Sequence, residues 1–205
     1  MKTAFLVLAV LIAGFGVVVA TRPSTLHVER SAAVKAPARV VYPLIADFHR
    51  WKSWSPWEKR DPAMQKTYSG PESGVGAGYA WKGNKDVGEG SMVITDAKPP
   101  EELHLKLDFF APMKATNVTT FRLTEHAGTT IVVWSMDGES NFVAKAFGMF
   151  VDMDKMIGAD FEAGLTAMTA QARADKVKAD AAAAEAAAKA AAQPVPAPTE
   201  AGPDL

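Results

Sequence analysis

The chain has 205 residues, with 22 basic and 23 acidic side chains and a formal net charge of -1 at pH 7. This near-neutral balance, with basic residues scattered along the chain, argues against the basic surface of a nucleic-acid-binding protein, so we expect no nucleic-acid partner. The sequence contains no cysteine, which excludes disulfides, thiolate nucleophiles and cysteine-ligated metal sites.

The first segment, residues 1–22, is predicted to be a transmembrane anchor. No charged residue lies between Thr3 and Ala20, and at about 1.5 Å per residue a helix of this length nearly crosses a hydrocarbon core of about 30 Å. A cleaved signal peptide is the alternative, because Val18-Val19-Ala20 is an acceptable cleavage pattern. The uncharged run exceeds the usual signal-peptide core of about 7 to 15 residues, which favours the anchor. Lys2 favours a cytoplasmic N-terminus and an extracytoplasmic domain.

A strand and a short helix are predicted next. Residues 25–35 alternate between apolar and polar side chains, which indicates a strand. Ala36-Pro37 then opens a helix that we expect to end near Asp47. Pro43 lies inside this helix and is expected to kink or split it, because proline removes a backbone donor.

The densest aromatic segment, residues 48–58, contains three tryptophans. Large aromatic rings are most often packing elements, so we interpret this segment as a plug that closes one end of the core. The alternative is a lid, or a membrane-facing rim around a pocket.

Six further strands and one long helix complete the predicted domain. The strands are expected at residues 64–68, 78–82, 87–96, 103–110, 115–125 and 129–138. From Phe142 to Met168 apolar residues recur every three or four positions, which predicts one continuous helix that shares its apolar stripe with an antiparallel sheet. The fold class is therefore α+β, a helix-grip with about seven antiparallel strands curved around a long C-terminal helix.

Three regions follow from these elements. Residues 1–22 form the anchor and residues 24–172 form the helix-grip domain. Residues 173–205 form an Ala-rich helical extension and a Pro-rich, extended tail.

A set of turn, glycine and aromatic residues recurs across the predicted domain. It comprises Glu29-Arg30, Ala36-Pro37, Val40, Ile45-Ala46-Asp47-Phe48, Trp51, Trp54-Ser55-Pro56-Trp57-Glu58, Tyr68-Ser69-Gly70, Gly74-Val75-Gly76-Ala77, Trp81, Gly88-Glu89-Gly90, Gly128-Thr129-Thr130 and Trp134. Over roughly residues 25–169 this set resembles the polyketide cyclase/dehydrase-type branch of the SRPBCC (START/Bet v 1-like) superfamily. The resemblance implies a deep apolar cavity between sheet and C-terminal helix, used by different members for lipids, sterols, polyketides or partner proteins.

The sequence carries no catalytic motif. A Gly-x-Ser-x-Gly elbow is missing, and the four histidines are far apart in sequence, without metal-ligand spacing, so no metal or cofactor is expected. Residues expected to line the cavity and contact a ligand are Trp81, Met92, Phe109, Phe121, Trp134, Met136, Met153, Ile157 and Phe161. Glu89 and Asp137 are the candidate acid or base groups, because a carboxylate in an apolar pocket can transfer protons.

Three functions are compatible with these observations. The first is a membrane-anchored module that binds a hydrophobic small molecule or lipid without catalysis, in which Trp134→Ala should weaken binding more than folding. The second is a cyclase or dehydratase-like enzyme that uses a pocket carboxylate. The third is a protein-interaction domain whose groove is filled by its own side chains. An open apolar cavity would favour binding, a buried Glu89 or Asp137 in that cavity would favour the enzyme, and a filled cavity would favour the interaction domain.

Overall fold

The computed structural model describes residues 2–191 and contains one antiparallel sheet and five α-helices in that range. The helices are α1 Lys2–Ala20, α2 Ala38–Ala46, α3 Pro56–Arg60, α4 Phe142–Phe147 and α5 Met153–Ala191, with a 3-10 helix at Phe48–Ser53. The strands are β1 Thr25–Val34, β2 Gln65–Ser69, β3 Gly78–Lys82, β4 Glu89–Lys98, β5 Glu102–Ala111, β6 Ala115–His126 and β7 Thr129–Glu139.

The seven strands form one sheet in the order β1-β7-β6-β5-β4-β3-β2, and every neighbouring pair is antiparallel. Alternate residues of the strands are buried on one face, for example Leu103, Leu105 and Leu107 of β5. Helix α5 contributes Phe161, Leu165 and Met168 to the same buried core. This arrangement confirms the predicted α+β helix-grip fold.

The prediction of one continuous helix from Phe142 to Met168 is wrong, because the helix is interrupted between Gly148 and Asp152. The N–H of Gly148 donates to the carbonyl oxygen of Ala144 at 2.9 Å and ends α4. The Asp152 carboxylate accepts a hydrogen bond from the N–H of Lys155 at 3.0 Å and starts α5. Both pieces keep a helical period, so apolar spacing alone does not reveal the break. Its consequence is that α4 leaves the line of α5 and Phe150 is 79% exposed.

Two of the three tryptophans in residues 48–58 pack into the core, as the predicted packing role requires, while Trp57 is half-buried and lines the cavity described below. Trp51 and Trp54 are buried, and their indole N–H groups donate to the carbonyl oxygens of Ile45 at 2.9 Å and Leu44 at 2.8 Å. These bonds tie the rings to the end of α2, which runs as one helix through Pro43. Buried indoles need such partners, so the segment is held as part of the core and not as a free lid.

Both ends of the described chain extend beyond the sheet. Within residues 2–191, α1 is the one helix whose length and apolar composition would allow it to cross a membrane, a property that signal sequences share. At the other end, α5 continues through the Ala-rich segment to Ala191. The predicted Pro-rich tail lies outside the described residues.

Helix α5 packs closely against the core at Gly164. A Cβ atom at this position would lie 2.8 Å from Cζ3 of Trp134 and 3.3 Å from Cδ of Pro56. Alanine in place of glycine ordinarily stabilises a helix by about 1 kcal/mol, whereas overpacking a core costs about 1–3 kcal/mol. Because a ring and a proline cannot rotate away, we expect Gly164→Ala to lower the free energy of unfolding by about 1 kcal/mol.

Chemical denaturation of the full chain in detergent measures this effect. The exposed neighbour Ala163→Gly serves as the control, because it changes helix propensity without touching the core. A Gly164→Ala variant as stable as the wild type would show that the helix can move away from the sheet.

Candidate ligand-binding cavity

A cavity of about 910 Å³ lies between the sheet and α5. Most of the side chains that line it are apolar, and they come from β1, β3 to β7, the tryptophan segment, α3, α4 and α5. This volume suits a drug-sized or lipid-sized ligand, for which protein sites typically provide about 300–1,000 Å³. The groove is therefore open and is not filled by its own side chains.

Eight of the nine residues predicted to contact a ligand lie along this cavity. They are Trp81, Met92, Phe109, Trp134, Met136, Met153, Ile157 and Phe161. Phe121 does not lie on the cavity wall. It is fully buried behind the wall, where its ring stacks on Trp134 with a centroid distance of 4.9 Å. Strand alternation correctly predicts the face of the sheet on which Phe121 lies. Whether a residue on that face reaches the cavity depends on the rings packed around it.

The two carboxylates considered for catalysis lie outside the cavity. Glu89 precedes the buried Gly90 and points to the opposite face of β4, where it pairs with Lys82 at 3.2 Å. Asp137 is exposed on β7, and its Oδ1 lies 2.6 Å from Nδ1 of His27. This hydrogen bond raises the pKa of His27. Each carboxylate is adjacent in sequence to an inward-facing residue. Successive residues of a strand point to opposite faces of the sheet, so both carboxylates face away from the cavity.

A different carboxylate, Glu58 of α3, lines the cavity. Its side chain is 9% exposed, its Oε2 accepts a hydrogen bond from Lys66, and its Oε1 accepts one from the hydroxyl of Tyr79 at 3.2 Å. Burial, followed by the charge of Glu58, raises the pKa of Tyr79, so this hydroxyl stays protonated as a donor. Tyr79 and Trp81 share a face of β3, a signal that could have identified Tyr79 from sequence.

Polar groups also join the helices beside the cavity. Arg60 of α3 forms an ion pair with Asp160 of α5, and both residues line the cavity. The pair bridges the two helices, so it helps to hold α3 against α5 at this side of the cavity.

The buried indole of Trp134 is the unusual polar group of the cavity wall. Its ring stacks on Phe161 with a centroid distance of 4.0 Å, and its Nε1 has no hydrogen-bond partner among the described residues. Such an unpaired donor is unfavourable by about 1–3 kcal/mol.

The cavity opens at one end of the sheet. Thr25 of β1 pairs with Glu139 of β7, Asn117 of β6 pairs with Gly138, and the β5–β6 turn follows at the same end. Met113 of this turn, Phe147 of α4 and Met156 of α5 line the cavity and are also exposed to solvent. These side chains therefore border the mouth of the cavity.

No metal centre is recognisable in the part of the chain that the structure describes. Residues 2–191 hold no group of three or more histidine, cysteine, aspartate or glutamate side chains arranged to bind a metal ion.

Comparisons with known proteins agree with this architecture. Residues 25–173 match a family described as polyketide cyclase / dehydrase and lipid transport. Curated proteins give no significant match. A solved structure from Nitrosospira multiformis is 20% identical with a TM-score of 0.53, and the alignment covers 71% of this chain and 95% of that chain. A protein from Mycobacterium smegmatis is 18% identical with a TM-score of 0.51, and the alignment covers 73% of this chain and 92% of that chain. A protein from Chromobacterium violaceum is 14% identical with a TM-score of 0.51, and the alignment covers 73% of this chain and 96% of that chain. At these identities the likeness shows the fold alone.

Proposed function

Because this chain belongs to the polyketide cyclase / dehydrase and lipid transport family, we propose that its cavity binds a hydrophobic small molecule, with a lipid as the ligand class and α1 as a membrane anchor. The open, mostly apolar cavity of about 910 Å³ is the observation that carries this proposal. Apolar walls bind a ligand mainly by removing its surface from water, at roughly 25 cal/mol per Å².

The wall composition supports binding of a largely apolar molecule. Met92, Met136, Met153 and Met156 line the cavity together with aromatic rings. Methionine side chains adapt to irregular ligand shapes because they are unbranched and polarisable. Open space in the groove also argues against a protein-interaction domain with a filled groove.

Membrane anchoring rests on α1. The helix has 19 residues, and at about 1.5 Å per residue it spans roughly 28 Å, close to the hydrocarbon thickness of a bilayer. We propose that it stays attached to the mature protein and that the domain lies on the extracytoplasmic side, as Lys2 favours. An anchor of this kind keeps the cavity close to a supply of lipid.

Native mass spectrometry of the full chain, extracted from membranes in mild detergent, tests the proposal. We expect a hydrophobic compound to remain bound and to be identified after organic extraction. The intact mass also reports whether residues 1–20 are retained. A ligand-free mass, with no uptake when phospholipids or fatty acids are offered, would contradict ligand binding.

A cyclase or dehydratase-like enzyme is the second candidate, and the Glu58–Tyr79 pair favours it. Both side chains line the cavity and share a hydrogen bond of 3.2 Å. The Glu58 carboxylate could accept a proton from a bound substrate, and the Tyr79 hydroxyl could donate a hydrogen bond to a substrate oxygen. The charge of Glu58 is compensated by Lys66, so the pair also fits a purely structural role.

Glu58→Gln separates these two functions. If the protein only binds, the same compound should be extracted from variant and wild type, with occupancy changed by less than about threefold, or about 0.6 kcal/mol. If the protein is a dehydratase, the variant should retain a compound that differs from the wild-type ligand by one water. Tyr79→Phe, which removes only the hydroxyl, tests the second member of the pair and should have the same effect on the bound compound if the pair is catalytic. Identical ligands in all three proteins would contradict the enzyme.

A further inference from the structure

Outside α1, a group of exposed apolar side chains belongs to the β5–β6 turn, to α4 and the segment after it, and to the start of α5, the elements that border the mouth of the cavity. This apolar rim comprises Met113, Phe142, Val143, Phe147, Phe150 and Met156, all of which are exposed. Val143 is 61% exposed and Phe150 is 79% exposed. On the outer face of the sheet, exposed apolar residues such as Val93, Val118 and Ile131 lie on separate strands. Contiguous exposed apolar surface indicates an interaction site, whereas scattered residues do not.

The position of helix α1 next to α4 limits which partner can cover this rim. Of the described residues of α1, Val19 in the last turn is the one that is buried, and α1 contacts α4. The link to β1 is only residues 21–24, a span of at most about 14 Å. The N–H of Ser140 donates to the carbonyl oxygen of Ser24 at 2.8 Å, which ties this link to the start of α4. The rim is therefore held beside the end of α1.

The length of α1 leaves no spacer between bilayer and domain. All 19 residues are needed to cross a hydrocarbon core of about 30 Å, so the last turn of α1 marks the membrane surface. Because α4 contacts α1 and its start is tied to the α1–β1 link by the Ser140–Ser24 hydrogen bond, its exposed apolar side chains are expected at the depth of the lipid headgroups. Apolar and aromatic side chains at this depth bury favourably among acyl chains.

We propose that the apolar rim docks on the surface of the bilayer that α1 spans, so that the cavity opens toward lipid and its ligand enters from the membrane. This inference rests on the proposed anchoring and binding. Exposure of Phe142, Val143 and Phe150 is then explained by lipid contact. The mouth residues Met113, Phe147 and Met156 line the path from the bilayer into the cavity.

A single-cysteine experiment on the full chain tests the docking, because the natural sequence has no cysteine. Phe150→Cys is labelled with a nitrobenzoxadiazole dye, and the chain is placed in nanodiscs of phosphatidylcholine and phosphatidylglycerol, one chain per disc. Val177→Cys is the control, since Val177 is 68% exposed on α5 and lies outside the rim. Leu11→Cys, in the middle of α1, reports insertion of the anchor.

We expect the dye at position 150 to be quenched by doxyl-labelled lipid and to show a several-fold lower iodide quenching constant than the dye at position 177. Equal iodide quenching at positions 150 and 177, with position 11 protected, would overturn the docking. Iodide quenching at position 11 would overturn the anchoring and the docking together. Protection at position 150 without quenching by doxyl lipid would assign the rim to a protein contact and also overturn it. Native mass spectrometry of the same discs reads ligand binding separately, so failure of the docking and failure of the binding proposal are distinguishable.

Discussion

Trp134→Ala is expected to lower the free energy of unfolding by about 3–5 kcal/mol, the range for truncation of a large buried aromatic side chain. Trp134 is 2% exposed and stacks on Phe161, with further edge contacts to Trp54 and Trp57. Removal of its ring leaves a hole at the junction of the sheet, the tryptophan segment and α5. We therefore expect folding to suffer first, which revises the expectation from sequence that binding would weaken more than folding.

Denaturant unfolding of the full chain in detergent measures this loss, and Trp134→Phe is the matched control. Phenylalanine keeps the stacked ring and removes the indole N–H that has no partner among the described residues. We expect the phenylalanine variant to lose less than about 1.5 kcal/mol, because relief of an unpaired donor offsets part of the lost area. An alanine variant within about 1 kcal/mol of the wild type would show that Trp134 is not a central packing element.

Ile157→Trp is expected to lower ligand affinity at least about tenfold, or about 1.4 kcal/mol. Ile157 lies on the face of α5 that borders the cavity and is half-buried. A larger side chain at this position extends into open space of about 910 Å³, so it displaces ligand volume without the strain of overpacking a filled core. The free energy of unfolding should consequently be little changed while ligand affinity falls.

Competitive binding of the extracted ligand, read by native mass spectrometry, measures this effect. Val177→Trp is the control, because it places the same side chain on the exposed part of the same helix. Equal occupancy in Ile157→Trp and wild type, with both proteins folded, would place the ligand elsewhere on the molecule.

The fold was predictable because its elements carry their periods in the sequence. Alternation along β5, with Leu103, Leu105 and Leu107 inward, identifies a strand and its buried face without any knowledge of its neighbours. The apolar stripe of α5 identifies a helix that must pack on a sheet. Eight of the nine residues predicted to contact a ligand lie on the cavity wall for the same reason: period determines face.

The polar part of the site was not predictable. Glu58 lines the cavity because α3 lies against α5, and its carboxylate bonds to Tyr79 across 21 positions of sequence. The sequence pattern points instead to Glu89 and Asp137, which lie next to inward-facing strand residues. Strand register and the path of a short helix are set by long-range contacts, which the local sequence pattern does not reveal.

The sequence by itself determined the helix-grip fold, the apolar N-terminal helix and the identity of most wall residues, since each follows from a local period or from composition. Only the tertiary structure decided where the helix breaks, which carboxylate faces the cavity and which apolar residues remain uncovered. Gly148 and Asp152 separate α4 from α5, and α4 contacts α1. The physical reason is that hydrophobic periodicity identifies which face of an element is apolar and must be buried. The element that packs on this face is determined by contacts between residues far apart in the chain.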